Sequence, residues 1–522
     1  MSLSPAKLVV CLVVVAPWAL PAHGQTVAAH AGLPWKGPGT CVQCHQAQAT
    51  EVHGSAHYQW EGMAPYSVDG PAVQGKKRTA LNSYCINILG NWGACGSCHV
   101  GLGAQPLPTA DTAQLANIDC LMCHNDRYRR KKDPATGLFV PDTVAMAPLG
   151  LQNMDQALQT VQASPTRAAC LQCHAKGGGG DNFKRGDLSV AHGTTGDRAF
   201  DVHMSKTGGN FPCQRCHTVS EHRFAGRGSD LRQTDLDVAM TCSTSSCHPG
   251  KASMSSGHPS EEISRHTSRV ACQTCHVGRA SARNATDTTA SEATEMSRDW
   301  AKPMWDAAKA RWEPTVGLFN NIKPVYRFWN RYSDNYSLEE VAVLDPKTAN
   351  YPTSRPLGAV SDTAVGTKLY PFKYKKAYQP FATTRGVLIP LDTRVYFAGA
   401  GLTAATQAGL VNLGYDSTDP WKMVTTDTYQ LLTHEIAPKA QALTCSNCHG
   451  RAASQMSLKT MGYGLKGQAS VVCVQCHEPK EERFTYVKMH DKHVKDKKFD
   501  CSLCHSFTRP ERGLRTQIVR TN

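Results

Sequence analysis

Residues 120–124 read Cys120-Leu121-Met122-Cys123-His124, and the chemistry of this stretch decides the fold. Positions i and i+3 lie on one face of a helical turn, and i+4 lies beside them. Two thiols so placed can bond the two vinyl groups of one porphyrin while the histidine reaches its iron. Cys-x-x-Cys-His is the attachment signature of c-type haem. It recurs at Cys41, Cys44 and His45; Cys95, Cys98 and His99; Cys170, Cys173 and His174; and Cys213, Cys216 and His217. Further copies lie at Cys272, Cys275 and His276; Cys445, Cys448 and His449; Cys473, Cys476 and His477; and Cys501, Cys504 and His505. Cys242, Cys247 and His248 form a wider tenth copy with four residues between the thiols. A lone copy could serve zinc or a redox dithiol. Ten copies, each closed by a histidine, imply about ten covalently bound haems c.

The rest of the composition follows from this. The chain has 522 residues, 22 Cys, 22 His and a formal charge of +14. Its mean hydropathy is −0.38. No run of about 18 apolar residues exists, so a bundle of membrane spans is excluded. The Gly and Pro counts exclude collagen and low-complexity disorder. The ten copies use all cysteines but Cys11 and Cys85. Two propionates on each of ten haems would supply about 20 negative charges, enough to reverse the +14. The basic excess is therefore internal compensation, and its scattered residues do not form a nucleic-acid surface. The Gly177–Gly180 run reads as a loop beside a haem, because it lacks the lysine of a phosphate loop.

Residues 1–24 read as a secretory signal: Lys7, then an apolar run from Leu8 to Leu20, then Ala22-His23-Gly24 as the cleavage site. Cys11 would leave with it. The expectation is an exported, periplasmic or outer-surface protein with no transmembrane segment in the mature chain.

Residues 41–276 hold seven motifs, 277–444 none, and 445–505 three. Four divisions follow: a signal peptide over 1–24, a seven-haem catalytic and electron-transfer domain over 25–290, a haem-poor aromatic-rich domain over 291–440, and a three-haem module over 441–522. At this density the macrocycles form much of the core. The expected fold is a mainly α multihaem cytochrome c with long ordered loops and little sheet. In the middle domain Trp300, Trp305, Trp312, Trp329, Tyr326 and Phe328 read as helical packing, or as shielding of haem edges or a subunit interface.

Each iron takes one motif histidine. Setting aside His23 in the leader and His30 in a loose terminus leaves His53, His57, His192, His203, His222, His258, His266, His434, His490 and His493. Nearly one spare histidine per haem implies bis-His, low-spin, electron-transferring haems.

The order of motifs resembles the octahaem tetrathionate reductase family of cytochromes c from about Cys41 to His449. The resemblance rests on Asn82-Ser83-Tyr84-Cys85-Ile86 before the second motif, and on Asp119 before the third with Lys131-Lys132 after it. It rests also on Gly177 to Asp181 with Arg185-Gly186-Asp187-Leu188, and on Asp201-Val202-His203-Met204. His266-Thr267 and His434-Glu435-Ile436-Ala437-Pro438-Lys439 complete the series. The resemblance implies an active site at the Cys95–His99 haem, with Lys131 or Lys132 as distal ligand and Cys85 as an active-site thiol. It implies His57, His203, His222, His258, His266 and His434 as distal ligands elsewhere. The implied activity is reduction of tetrathionate, with nitrite and hydroxylamine as further substrates.

A lysine ligand suits that role. From a reference pKa of about 10.4, losing its proton at pH 7 costs about 4–5 kcal/mol, whereas a histidine loses almost nothing. A lysine is thus displaceable, and once released its cation suits an anionic substrate. A thiolate at Cys85 could attack a sulfur–sulfur bond; otherwise it is a buried inert thiol.

Two departures stand out. Motifs at Cys473 and Cys501 extend the chain beyond the family, with His490 and His493 as their ligands. The family's histidine near Pro371-Phe372-Lys373-Tyr374-Lys375-Lys376 is missing, which leaves the tenth distal ligand to His53, His192, Lys375 or nothing. The expected partners are a small anionic substrate and a redox protein or quinol-linked cytochrome. The competing reading is a non-catalytic electron conduit to a periplasmic or extracellular partner. A weaker third is oxidation of hydroxylamine, for which no tyrosine-crosslink signature is seen.

Overall fold

The computed structural model describes residues 28–84, 87–228, 230–232, 234–243, 247–248, 258, 263, 266–281, 293–359, 366–449, 455–456, 458, 463–478, 486–499 and 503–507. The expected leader, Cys85 and Cys501 therefore lie outside the described residues.

The motif-bearing regions are built from short helices and ordered loops. Arg167–His174 is typical: Thr166 caps it by accepting a hydrogen bond from the Ala169 amide at 3.3 Å, and the fourth motif forms its last turn. Apolar packing there is divided into small clusters. One joins Ala49, Tyr58, Leu115 and Ile118, and another joins Leu121, Tyr128, Met146, Leu151 and Ala157. Among the described residues no helix is long and apolar enough to cross a membrane.

The middle of the chain overturns two expectations. It is mostly sheet, with helices only at Thr393–Phe397 and Gly401–Asn412, and the molecule is not poor in sheet. Eight strands form one sheet: β1 (Thr294–Asp306), β2 (Arg311–Phe319), β3 (Val325–Trp329), β4 (Ser333–Asn335), β5 (Tyr351–Pro356), β6 (Lys368–Ala382), β7 (Val387–Leu388) and β8 (Trp421–Leu431). The order is β4-β5-β8-β6-β1-β2, with β3 and β7 also pairing β6. β6 and β8 run antiparallel from Phe372 opposite Leu431 to Ala382 opposite Trp421. The β5–β8 and β6–β1 pairs are parallel.

Composition explains why these segments extend. β8 carries Val424, Thr425, Thr426, Thr428 and Tyr429, and β6 carries Leu369, Tyr370, Phe372 and Tyr374. Branched and aromatic side chains fit a pleated surface. β2 lies at the sheet's end, where Pro314 can sit without breaking a central ladder. The tryptophans divide between environments. Trp300 and Trp329 are buried, whereas Trp305 and Trp312 stand exposed on the β1–β2 hairpin. Trp300 packs with Leu81, Tyr336, Phe381, Leu388, Leu391 and Tyr396 in the main apolar core.

Alternation along β6 sets up the site. Lys373, Lys375, Ala377 and Gln379 share its fully buried face. Lys373 donates to the Phe183 carbonyl at 2.6 Å, and the Lys375 ammonium lies 2.9 Å from the centre of the Tyr84 ring. That face is thus pressed against the motif-bearing part.

Candidate functional site

The histidines assemble in pairs. The ring centres of His57 and His174 lie 5.9 Å apart, those of His203 and His248 6.2 Å, and those of His217 and His434 6.2 Å. His266 and His449 stand at 6.1 Å, and His124 and His222 at 6.5 Å. In the C-terminal region His477 faces His493 at 5.5 Å and His490 faces His505 at 6.1 Å. His276 acts electrostatically on His258. Two metal–imidazole bonds of about 2.0 Å each, plus two ring radii of about 1.1 Å, require centres about 6 Å apart. The pairs fit an iron between them. Among the described residues no three His, Cys, Asp or Glu side chains converge as a metal site.

Outer contacts fix which nitrogen faces inward. Nδ1 of His124 bonds the Gln162 carbonyl at 2.8 Å, that of His217 the Ala225 carbonyl at 2.9 Å, and that of His276 the Ala437 carbonyl at 3.1 Å. His222 Nδ1 lies 2.7 Å from the Glu51 carboxylate. An Nδ1 that donates outward leaves Nε2 with its lone pair for iron.

One pair was not expected. His30 stands 6.0 Å from His45, in a short 3-10 turn at Ala28–His30. It is not loose, and it stands beside a motif histidine, where the sequence left the choice to His53, His192, Lys375 or nothing. His53 instead lies against Gln59 and Tyr58. His192 is buried, with its Nδ1 accepting from the Ser189 amide at 3.0 Å. Lys375 is buried in an ion pair with Glu295 at 2.5 Å.

His99 differs from these eight paired motif histidines: among the described residues no second imidazole ring lies beside it. It is buried, and its Nε2 meets the Tyr58 carbonyl oxygen at 2.7 Å. Tyr58, Trp60 and Trp92 surround its ring at 5.0, 5.6 and 4.9 Å. Burial pushes its pKa down to about 4, with the Tyr58 carbonyl pulling the other way. Iron at this ring requires Nε2 to leave the Tyr58 carbonyl.

A hairpin of Arg130–Lys132 with Phe139–Pro141 covers this motif. Arg130 clamps it, donating to the carbonyls of Gly96, Ser97, His99 and Gly101 and pairing with Asp119 at 3.4 Å. The approach depends on two glycines. A Cβ at Gly96 would lie 2.7 Å from Phe139, and one at Gly93 would lie 2.7 Å from the Lys132 ammonium. Neighbours on a strand point to opposite faces. Lys132 is therefore turned toward the motif and Lys131 away from it. Lys77 acts electrostatically on His99, and Lys76 stands 5.8 Å over the Trp60 ring.

Behind the site, the loop leading to Cys85 is anchored. Arg298 donates to the Tyr84 carbonyl at 2.7 Å and the Gly178 carbonyl at 2.6 Å, and grips Glu295 at 2.8 and 2.6 Å. Tyr84 packs so closely on Gly178 that a Cβ there would lie 2.9 Å away. Asn82 bonds the Tyr84 amide at 2.9 Å and reaches Asp230. Sequence patterns gave no sign of this set, whose members come from distant segments.

The thiols report which motifs adjoin. Cys41 neighbours Cys120, Cys98 neighbours Cys173, Cys170 neighbours Cys213, and Cys242 neighbours Cys272. Cys216 feels Cys247, Cys275 feels Cys448, and His449 feels His490. Cys123 acts on both Cys170 and Cys173.

Repeated attachment motifs, paired imidazoles and the fold together define a multihaem c-type cytochrome. Comparison with known proteins agrees. The structure is similar to that of octaheme cytochrome c from Shewanella oneidensis, with a TM-score of 0.64 and 25% sequence identity, covering 85% of this chain and 95% of that one. The bacterial cytochrome c family model matches residues 283–452, which is the sheet and the eighth motif. An uncharacterised protein of Archaeoglobus fulgidus is 27% identical over 248 residues, spanning 38% of this chain and 77% of its own.

Proposed function

We propose that this cytochrome is an exported, periplasmic reductase of tetrathionate or a related sulfur or nitrogen oxyanion, belonging with the octahaem tetrathionate reductases and extended by two C-terminal haems. The observation that carries this is the contrast at His99. Eight motif histidines have a second imidazole ring beside them, and His99 has the Lys132 hairpin over its motif instead. Bis-His iron is closed to substrate; a lysine-ligated iron can open.

The balanced reaction is two electrons plus tetrathionate giving two thiosulfates, with one S–S bond broken and no proton taken up. The haem when bound supplies the electrons singly. The chain's own residues do the rest. Lys76, Lys77 and Lys132 set a positive field that draws an anion. Arg130 is fully engaged by carbonyls and Asp119, so it holds the motif rather than the substrate. Trp60 and Trp92 exclude water from His99. Arg298 and Asn82 hold the loop that ends at Cys85.

The test is turnover of the holoprotein with reduced viologen. Oxidation of the dye by tetrathionate, nitrite or hydroxylamine supports the reading; no turnover with any of the three sinks it. The second reading, a conduit, is favoured by the exposed ninth motif. It requires every haem to be low-spin, with no spectral change on adding substrate.

A further inference from the structure

The C-terminal module carries a concentrated basic charge beside an exposed motif. Every residue from Cys473 to Glu478 is exposed, whereas Cys95, Gly96 and His99 of the second motif are buried. His477 and His493 face each other with their Nε2 atoms 3.2 Å apart. His493 is carried by the helical segment Asp491–Asp496, which continues from Tyr486–His490. That segment is strongly basic: Lys488, Lys492, Lys495, Lys497 and Lys498 are exposed, against Asp491 and Asp496. Lys466 adds a sixth exposed cation nearby and Glu478 a third acid. Between the cations lie exposed apolar side chains, Val471, Val474, Met489, Phe499 and Leu503. An inward route starts here. His490, three residues before His493, pairs with His505 and acts on His449 of the eighth motif.

We propose that this face is the electron port of the molecule, and that it docks a small acidic one-electron carrier protein. The inference rests on the reading that His477 and His493 share one haem. One electron passes from the reduced carrier to the ferric iron between those rings, and no bond forms or breaks. Weak redox complexes use small patches, with an apolar centre for contact and a charged rim for steering. The charge on this rim selects a partner whose redox group is ringed by Asp and Glu.

The experiment uses the ten-motif holoprotein. Haem content of Cys473→Ser with Cys476→Ser is measured first. Loss of one haem in ten validates the underlying reading, and no loss overturns that reading and the port with it. The port itself is tested with Lys492→Glu, Lys495→Glu and Lys497→Glu combined. The reduced protein is mixed with ferricyanide or hexaammineruthenium(III) in a stopped-flow instrument. At low ionic strength the ferricyanide rate constant should fall about tenfold and that for the ruthenium cation should rise, both effects vanishing near 0.5 M salt. Lys302→Glu with Lys309→Glu and Lys347→Glu, the same charge change elsewhere, should move either rate less than about twofold. Carbodiimide cross-linking to a plant-type ferredoxin should map to residues 486–499. Equal effects from both triple variants, cross-links mapping elsewhere, or binding only to phosphatidylglycerol vesicles would overturn the proposal.

Discussion

The ion cluster behind the Tyr84 loop gives a quantitative prediction. Glu295 is fully buried and serves two cations, Arg298 through two oxygens and Lys375 at 2.5 Å. Burial pushes its carboxyl up, but Arg298 and Lys375 more than reverse this and hold it below the usual carboxylate range. Lys375 is pushed far down by burial, and Lys373 and Arg298 add to that, while Glu295 opposes it. The two partners are therefore unequal. Glu295→Gln leaves two buried cations without a counter-charge, at a cost of about 3–5 kcal/mol. Lys375→Met removes the surplus cation, leaves Glu295 paired with Arg298, and should cost less than about 1.5 kcal/mol. For a cooperative unit of this size these become falls of about 3–5 °C and at most about 1.5 °C in Tm, since unfolding entropy is roughly 2 cal/mol/K per residue. Far-UV circular dichroism of the two holoproteins at pH 7 measures this. Equal midpoints would refute the assignment of Arg298 as the main partner of Glu295.

Three further outcomes are expected. His30→Ala should convert the haem at His45 from low-spin to high-spin without altering haem content, read by electron paramagnetic resonance. Lys132→Met should change the spin state of the active-site haem while Lys131→Met leaves it unchanged; the reverse result would assign Lys131. Lys373, which burial lowers to about 7, should make stability depend on pH. Its folded pKa lies below the unfolded value of about 10.4, so its buried charge costs stability below pH 7, and that cost is relieved as pH rises toward 10. The Tm of the wild type relative to Lys373→Met should therefore rise between pH 6.5 and 9, and a flat difference would refute the assignment.

The attachment sites were legible because their spacing is a chemical requirement within five residues. The pairing was legible as a count, and seven of the named histidines stand ring to ring with a motif histidine. His30 escaped because closeness to a terminus says nothing about packing. Trp35, in the turn that follows, hydrogen-bonds Asp155 across the fold and helps hold that end in place. The sheet escaped for a different reason. Its central strand β6 carries Lys373, Lys375 and Gln379 on its buried face, so that face reads as polar. Those lysines are stable there only because Glu295, Thr294 and the Phe183 carbonyl meet them, and such partners come from segments no local pattern connects.

The adjacency of thiols bears on the choice between catalyst and conduit. From the exposed ninth motif the line runs along the helical segment to His490, the partner of His505 in the tenth motif, and on to the eighth, then to the seventh, sixth, fifth and fourth. At the fourth the line forks. One arm passes by Cys123 to the third motif and Cys120 to the first, where His30 closes the far side of His45. The other arm is a single step, from Cys173 to Cys98, and ends at His99. A wire gains nothing from a one-step spur. A spur is useful when its end does chemistry, and this one ends at His99, which has no second imidazole ring beside it among the described residues and lies under a lysine hairpin and behind two tryptophans. The same fork lets one-electron deliveries accumulate in the main line until two are available for an S–S bond. It therefore predicts that separating the spur, by Cys98→Ser with Cys95→Ser, abolishes oxyanion reduction yet leaves ferricyanide oxidation of the remaining haems at the wild-type rate. Loss of both together would show that the second motif lies within the line.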